Sequence, residues 1–188
     1  MMKAGNKLCL IAVLMAAVMF MTACPSFAES TTAVEFEDFT LATDEDITPV
    51  AKGQGTMFTI HPFRKSGDMA TNINGLYLGN VKAADFPAAE YSEYMRSMEN
   101  EYRKQYAEMG MSVTSFRVLD AVEARAWGRD AFLLDILIDA EYQGGTLDYH
   151  QRQIVVFGDF GCYGFTCTST NEDIDETEKA LYATLSWK

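Results

Sequence analysis

The chain has 188 residues, with 27 acidic and 15 basic side chains, and its formal net charge at pH 7 is −12. Such a negative chain repels nucleic acid and anionic lipid headgroups, so neither is an expected partner. The length suits one domain with a sizeable hydrophobic core.

Residues 1–28 have the pattern of a secretory signal peptide. Lys3 and Lys7 precede an apolar run from Leu8 to Met21, and small residues follow it. The run is shorter than the roughly 20 residues that a bilayer-spanning helix needs. We therefore expect the mature protein to be extracytoplasmic.

Two processing sites fit the end of this signal. Ser26 to Ala28 has small residues at the two positions that signal peptidase reads, so cleavage after Ala28 would release a secreted chain. Met21 to Cys24 resembles a bacterial lipobox, and Cys24 would then carry a lipid anchor. The sequence leaves both alternatives open, and the anchor at Cys24 is the one membrane attachment that we expect.

Residues 29–50 are polar and acidic, and they predict a lead-in to the folded domain with at most a short strand. The domain itself is expected over residues 51–188. Its first strand is predicted at Thr56 to Ile60, where Pro62 ends it, and a second at Ile73 to Gly79.

The strongest pattern predicts one long helix that begins at Asp85, a candidate N-cap, and ends at Gly110. Tyrosine and methionine recur along it at helical three- and four-residue steps: Tyr91, Tyr94, Met95, Met98, Tyr102, Tyr106 and Met109. We expect this Tyr/Met stripe to pack on a sheet. The alternative is a small-ligand pocket between the stripe and the sheet.

After the helix the side chains alternate with a period of two. This period predicts four strands: Val113 to Leu119, Asp130 to Tyr142, Leu147 to Phe157 and Cys162 to Thr170. Tight turns at Gly144-Gly145 and at Asp159 to Gly161 join the last three in an antiparallel meander. A final helix is expected from Asp173 to about Leu185, with Asn171 as its cap. The element order predicts an α+β fold, with helices laid on one antiparallel sheet.

Cys162 and Cys167 lie on the same predicted strand. Five residues of strand span roughly 16 Å, beyond the ~7 Å limit between bridged Cα atoms, and an odd offset directs the side chains to opposite faces. We expect two buried free thiols.

No residue pattern supports catalysis, a cofactor or a metal site. His61 and His150 are the two histidines, and neither has a second at metal-ligand spacing. Asp135 and Asp139 share a strand face about 13 Å apart, which is wide for a glycosidase pair, and we expect both to face solvent. An enzyme would need a cleft with perturbed acids, for which the surroundings of His150 and Arg152 are the candidate.

Two short motifs are better explained by local structure. Asp159-Phe160-Gly161 matches the kinase magnesium motif, but the other kinase motifs are absent from the sequence. Asn171-x-Asp173-x-Asp175 resembles the start of a calcium loop, but Glu176 stands where that loop needs glycine. The first predicts a β-turn and the second the start of a helix.

The arrangement resembles the PsbP/Mog-like superfamily over most of the chain after the signal. The features that carry the resemblance are Thr56 to Pro62, Ile73 to Gly79 leading into Asp85-Phe86-Pro87, the long helix, Val122 to Ala131 with Gly128, Ile154 to Phe165, and a closing helix that ends at Ser186-Trp187. The resemblance implies an α/β/α sandwich around an antiparallel sheet. It also implies a non-enzymatic role, usually docking to another protein.

Together these features predict a non-enzymatic extracytoplasmic domain that binds a protein or cell-envelope partner. A small-ligand binder that uses a pocket between the Tyr/Met stripe and the sheet is the second hypothesis. The sequence identifies neither the partner nor the ligand.

Overall fold

A computed structural model describes residues 31–47, 49–68, 70–86, 88–108, 110–170 and 173–188. The strands in these ranges are β1 (Thr31–Glu35), β2 (Phe39–Ile47), β3 (Thr56–Ile60), β4 (Asn72–Gly79), β5 (Ser112–Ala126), β6 (Arg129–Tyr142), β7 (Gly145–Gly158), β8 (Gly161–Ser169) and β9 (Leu185–Trp187). The helices are α1 (Ala88–Ser97), α2 (Glu99–Glu108) and α3 (Ile174–Thr184), and short 3-10 turns occupy Arg64–Ser66 and Ala83–Asp85.

The strands form two antiparallel sheets. The larger has six strands in the order β3-β4-β8-β7-β6-β5, and the smaller has three in the order β1-β2-β9. The predicted antiparallel meander is thus confirmed, and it spans β5 to β8 with each strand paired to the next.

Two turns of the meander require a backbone that favours glycine. The predicted turn before β8 ends at Gly161, whose φ is +104°, and a Cβ there would lie 2.7 Å from the carbonyl oxygen of Gly79. The β6–β7 turn is formed by Gln143 and Gly144, with φ of 52° and 81°. It therefore starts one residue earlier than predicted, in the manner of a type I′ hairpin.

One face of the large sheet, the helix face, is covered by α1 and α2. Tyr91, Met95, Tyr102 and Tyr106 are buried there against the alternate β6 side chains Phe132, Leu134, Ile136, Ile138 and Ala140. This is the expected packing of an amphipathic helical segment on a sheet.

The opposite face, the hairpin face, carries α3 and the small sheet. Phe39 and Leu41 of β2 and Leu181 of α3 share one buried cluster with Ile154 and Val156 of β7. Trp187 of β9 packs at the border of this cluster. The fold is α+β as predicted, but the second covering layer combines a helix with a three-stranded sheet, so it is not a purely helical layer.

The N-terminal prediction differs from the structure. Within the expected lead-in, residues 29–50, β1 and β2 form a hairpin whose apolar side chains belong to the buried core. The acidic composition of this segment does not predict a buried hairpin. Its apolar side chains become buried because β2 pairs with β9, which lies at the other end of the chain. The folded domain thus includes residue 31 onward.

The long predicted helix is divided in two at Met98. The Met98 amide donates to the carbonyl oxygens of both Tyr94 and Met95, at 3.1 and 3.2 Å, which tightens the turn. The Ser97 hydroxyl also donates to the Tyr94 carbonyl at 2.7 Å, a contact that bends helices. Asp85 lies in the preceding 3-10 turn, so the helix begins three residues later than predicted, at Ala88.

The remaining predictions agree closely with the structure, apart from one strand end. β3 has the predicted bounds, and β6 begins one residue before the predicted strand. β5 continues to Ala126, well past the predicted end at Leu119. Cys162 and Cys167 are buried free thiols in the clusters of opposite sheet faces, as predicted.

Candidate functional site

Among the described residues, none forms a covering layer over one part of the hairpin face, and this part exposes apolar side chains. α3 packs on β8 and β7, and beyond it Val122 on the outermost strand β5 is 41% exposed. Val122 lies opposite Leu133 of β6, and Leu137 of β6 lies opposite His150 of β7. Leu133, Leu137 and His150 are half-buried. We call the surface formed by Val122, Leu133, Leu137 and the acids described next the open sheet face.

Acidic side chains accumulate on this face at directly opposed positions. Asp120 of β5 lies opposite Asp135 of β6, and Asp139 of β6 lies opposite Asp148 of β7. Like charges directly across strands are destabilising unless a cation lies nearby. Arg117 partly supplies one, with its guanidinium 3.8 Å from Asp139.

The open sheet face ends at β5, which is an edge strand of the large sheet. Strand β5 pairs with β6 on one side only. The register shifts between Val118 and Asp120, and Leu119 at this bulge is 51% exposed. The edge strand therefore exposes a second large apolar side chain near the open sheet face.

Arg152 joins the large sheet to α3 at the border of the open sheet face. Its Nε and Nη2 each donate to one carboxylate oxygen of Asp135 at 2.8 Å. Its Nη1 donates to Asp175 at 2.6 Å and to Glu178 at 2.5 Å. We call these four residues the Arg152 cluster.

The Arg152 cluster keeps Asp135 ionised. Burial alone would raise the pKa of Asp135, but the bonds from Arg152, together with nearby His150, outweigh it and lower this pKa to about 2. A carboxyl group with such a pKa cannot donate a proton at neutral pH. The perturbed acid that we considered beside His150 and Arg152 thus exists, and its geometry is that of a structural ion pair.

Asp135 and Asp139 differ from each other, although both were expected to face solvent. Asp135 is 8% exposed and paired, which corrects that expectation. Asp139 is partly exposed, as part of the open sheet face. Sequence spacing does not reveal the burial and pairing of Asp135, because its partner Arg152 is 17 residues away and lies beside it only through the β6–β7 register.

The calcium-like segment is the start of a helix, as predicted, although the cap residue differs. Asp173 is the N-cap of α3 and accepts a hydrogen bond from the Asp175 amide at 2.9 Å. The cap expected at Asn171 lies outside the described residues. In the described part of the chain, no three His, Cys, Asp or Glu side chains are grouped as metal ligands.

A second polar cluster fastens the β1–β2 hairpin to the large sheet. The Tyr163 hydroxyl donates to Asp38 at 2.5 Å, and Lys52 donates to the same carboxylate oxygen at 2.7 Å. The Lys52 ammonium also lies 4.4 Å from the centroid of the Tyr77 ring. This cluster was not foreseen, because Asp38 and Tyr163 are 125 residues apart.

Where it is described, the Tyr/Met stripe is packed against the sheet. Tyr91, Met95 and Tyr102 have no exposed surface, and Met98 is packed against the same core. Burial raises the pKa of Tyr102 well above its usual value. The ligand pocket expected between the stripe and the sheet is therefore filled by the stripe itself.

Cleavage after Ala28 and lipidation of Cys24 concern residues outside the described ranges. Among the helices that are described, none is long and apolar enough to cross a membrane.

No protein-family model and no curated protein matches this sequence. Among solved structures, the chain is similar to cyanobacterial PsbP (CyanoP) from Synechocystis sp. PCC 6803, with a TM-score of 0.52 and 13% identity over 89% of this chain and 99% of that one. The chain thus has the PsbP-like fold that the resemblance in its sequence implies.

Two further solved structures show weaker similarity. PA94 of Pseudomonas aeruginosa, a protein of unknown function, has a TM-score of 0.36 and 17% identity over 82% of this chain and 93% of that one. LpqN of Mycobacterium tuberculosis, which is involved in cell envelope biogenesis, has a TM-score of 0.34 and 9% identity over 86% of this chain and 87% of that one.

Proposed function

We propose that this chain is an extracytoplasmic, non-enzymatic docking domain. In this proposal the open sheet face binds a basic, partly apolar segment of a protein in the cell envelope. The observation that carries it is the combination of exposed apolar side chains and unbalanced acids on one uncovered sheet surface.

The location follows from the N-terminus. Residues 1–28 have the basic start, short apolar core and small-residue end of a secretory signal. Both processing alternatives, cleavage after Ala28 and lipidation of Cys24, place the domain outside the cytoplasm.

The apolar side chains provide the contact area. Leu119 and Val122 are the large aliphatic side chains with the highest exposure in the described chain, at 51% and 41%. Both lie on the edge strand β5, and Val122 is directly opposite Leu133 of β6. Large exposed apolar side chains that lie near one another on a folded domain are typical of an interaction site.

The acids determine which partner fits. Asp120, Asp139 and Asp148 lie around the apolar side chains, and Arg117 is the nearby cation. A partner segment with lysine or arginine beside apolar residues would relieve the repulsion between opposed carboxylates. An acidic partner or a nucleic acid would increase this repulsion.

The Arg152 cluster makes this surface rigid. The bidentate pair with Asp135 fixes β6 to β7, and the bonds to Asp175 and Glu178 fix α3 beside them. A preorganised surface loses less entropy on binding than a mobile one.

Site-specific photocrosslinking in the native host tests the proposal. A benzophenone amino acid at Leu137 and, separately, at Val122 should yield an adduct with the same protein. The matched control carries the probe at Lys104, which is exposed on α2 on the other side of the sheet. We expect that adduct to be absent from the control.

Charge variants of the purified domain then test the recognition chemistry. Replacing Asp120, Asp139 and Asp148 together by asparagine should weaken binding of the crosslinked partner about tenfold, with a smaller dependence on salt. The control replaces Glu90, Glu93 and Glu101 on the exposed helix surface by glutamine, which is the same change in charge. Equal loss in both variants, or no adduct from either open-face position, would contradict the proposal.

The choice between secretion and anchoring is settled by the intact mass of the native mature protein. A chain that begins at Glu29 indicates cleavage after Ala28. A chain that begins at a diacylglyceryl-modified Cys24 indicates an envelope anchor. The docking proposal would fail if the protein retained residues 1–28 and fractionated with the cytoplasm.

A further inference from the structure

A cavity of about 320 Å³ opens on the helix face, beyond the N-terminal end of α1. It lies between the 3-10 turn Ala83–Asp85 and the end of the β5–β6 hairpin. This location is distinct from the Tyr/Met stripe, and it is on the sheet face opposite the proposed docking surface.

Three aromatic rings line this cavity. The Phe86 ring centroid lies 5.2 Å from that of Phe132 and 5.3 Å from that of Phe157. Tyr91 packs behind them, with its ring 5.1 Å from Phe86 and 5.4 Å from Phe132. All of these rings are at least nine-tenths buried, so they form a fixed aromatic wall.

Two carboxylates lie at the mouth of the same cavity. Glu123 of β5 is directly opposite Phe132, and Asp130 is two residues before Phe132 on β6, so both are on the helix face. Both are exposed, and within the described residues neither has an ion-pair partner. Arg125 lies directly opposite Asp130 in the β5–β6 register, but its guanidinium donates to the Gly128 carbonyl.

We propose that this cavity binds a small organic cation with an apolar body, such as an aromatic amine or a quaternary ammonium compound. In this proposal the three lining rings contact the cation and its apolar body, since aromatic rings attract cations, and the two acids add electrostatic attraction at the mouth. A volume of about 320 Å³ is at the lower end of ligand pockets, which suits a ligand of roughly ten non-hydrogen atoms.

Isothermal titration calorimetry on the full mature domain tests this inference, with benzyltrimethylammonium as the probe. Benzyl alcohol is the neutral comparison, and benzoate is the anionic one. We expect the cation to bind at least tenfold more tightly than either. A double variant, Glu123→Gln with Asp130→Asn, should lose about tenfold in affinity for the cation.

Two variants control for charge and for location. Glu101→Gln with Glu108→Gln removes two exposed acids on α2 and should leave the affinity unchanged within twofold. Ala84→Phe, at an exposed lining position, should fill the mouth and abolish binding while the melting temperature stays near the wild-type value.

Three results would overturn the inference: no heat at millimolar cation, equal affinity for benzyl alcohol, or unaltered binding to Ala84→Phe. The docking proposal is independent of all three, since its residues lie on the other sheet face. Loss of partner binding in the variants of the open sheet face would likewise leave this cavity untouched.

Discussion

Arg152 and Asp135 lie directly opposite each other on β7 and β6, and they form a two-bond ion pair with both N–O distances at 2.8 Å. The same guanidinium reaches Asp175 and Glu178 on α3. One largely buried cation therefore links two strands and a helix, and it donates hydrogen bonds to three carboxylates. The stability of this region therefore depends on a charged residue that lies directly opposite the buried Cys167 in the β7–β8 pair.

Replacing Arg152 by alanine should lower the free energy of unfolding by about 3 kcal/mol, because Asp135 and Glu178 would remain partly buried without a counterion. Arg152→Lys should recover less than half of this loss, since an ammonium cannot form the two parallel bonds. Urea denaturation monitored by circular dichroism measures both values.

The control for Arg152 is Arg96→Ala, at an exposed position on α1. We expect its free energy of unfolding to stay within about 0.5 kcal/mol of the wild-type value. A loss for Arg152→Ala as small as that of the control would show that the cluster contributes little to stability.

The pKa of Asp135 predicts a specific dependence of stability on acid. The folded-state pKa of about 2 lies below the ordinary value of 3.8, so ionised Asp135 stabilises the fold by about 2 kcal/mol above pH 4. This contribution should fall as the pH falls from 4 to 2, because protonation of Asp135 then breaks its ion pair with Arg152.

The measurement is the free energy of unfolding from pH 6 to pH 2 for the protein and for Asp135→Asn. Both chains should also carry His150→Gln, because the His150 side chain lies 3.8 Å from Asp135 and is one of the groups that lower the Asp135 pKa. In this background Arg152 remains the main partner of Asp135, and the difference between the two chains should shrink below pH 4 by between about 1 and 2 kcal/mol. A difference that is constant over this range would refute the assignment.

The sequence predicts the large sheet well and the Arg152 cluster poorly, for a physical reason. The period of two is a local pattern, so it locates β3 and β6 to within one residue. The partners of Arg152 are 17, 23 and 26 residues away, and they meet only through strand register and the placement of α3. No local pattern encodes such a meeting.

The β1–β2 hairpin and the cavity were also not predicted, because both depend on contacts between residues that are distant in the sequence. β2 looks like an acidic lead-in because its burial requires pairing with β9. The cavity combines Phe86, Glu123 and Phe157 from three separated segments. By contrast, the Tyr/Met stripe is recognisable as a core surface because its helical period is a local pattern that continues from α1 into α2.

Gly75 should not tolerate a methyl group, although its backbone is ordinary for a strand. It lies opposite Phe58 in the β3–β4 pair, and a Cβ at Gly75 would lie 2.2 Å from that buried ring. Gly75→Ala should therefore cost roughly 2 kcal/mol of stability through overpacking. Thermal or urea unfolding of the single variant measures this cost.

A double-mutant cycle shows whether the ring causes the cost. Phe58→Leu removes the atoms that the new methyl would meet, so Gly75→Ala should be less costly in that background by about 1 kcal/mol. Equal costs in the two backgrounds would assign the effect to the backbone of β4 and not to the ring.

The two thiols should be inert in the folded protein. Burial raises the pKa of Cys162 and of Cys167 above the usual value for cysteine, and the thiolate is the reactive form. They lie in the clusters of opposite sheet faces, so neither can reach the other.

The measurement is the rate at which the thiols react with an aromatic disulfide reagent. Native protein should react over hours, and urea-unfolded protein should release two equivalents of the aromatic thiolate within seconds to minutes. Rapid reaction of one thiol at a urea concentration far below the unfolding midpoint would reveal local opening of β8 and contradict its placement at the centre of the large sheet.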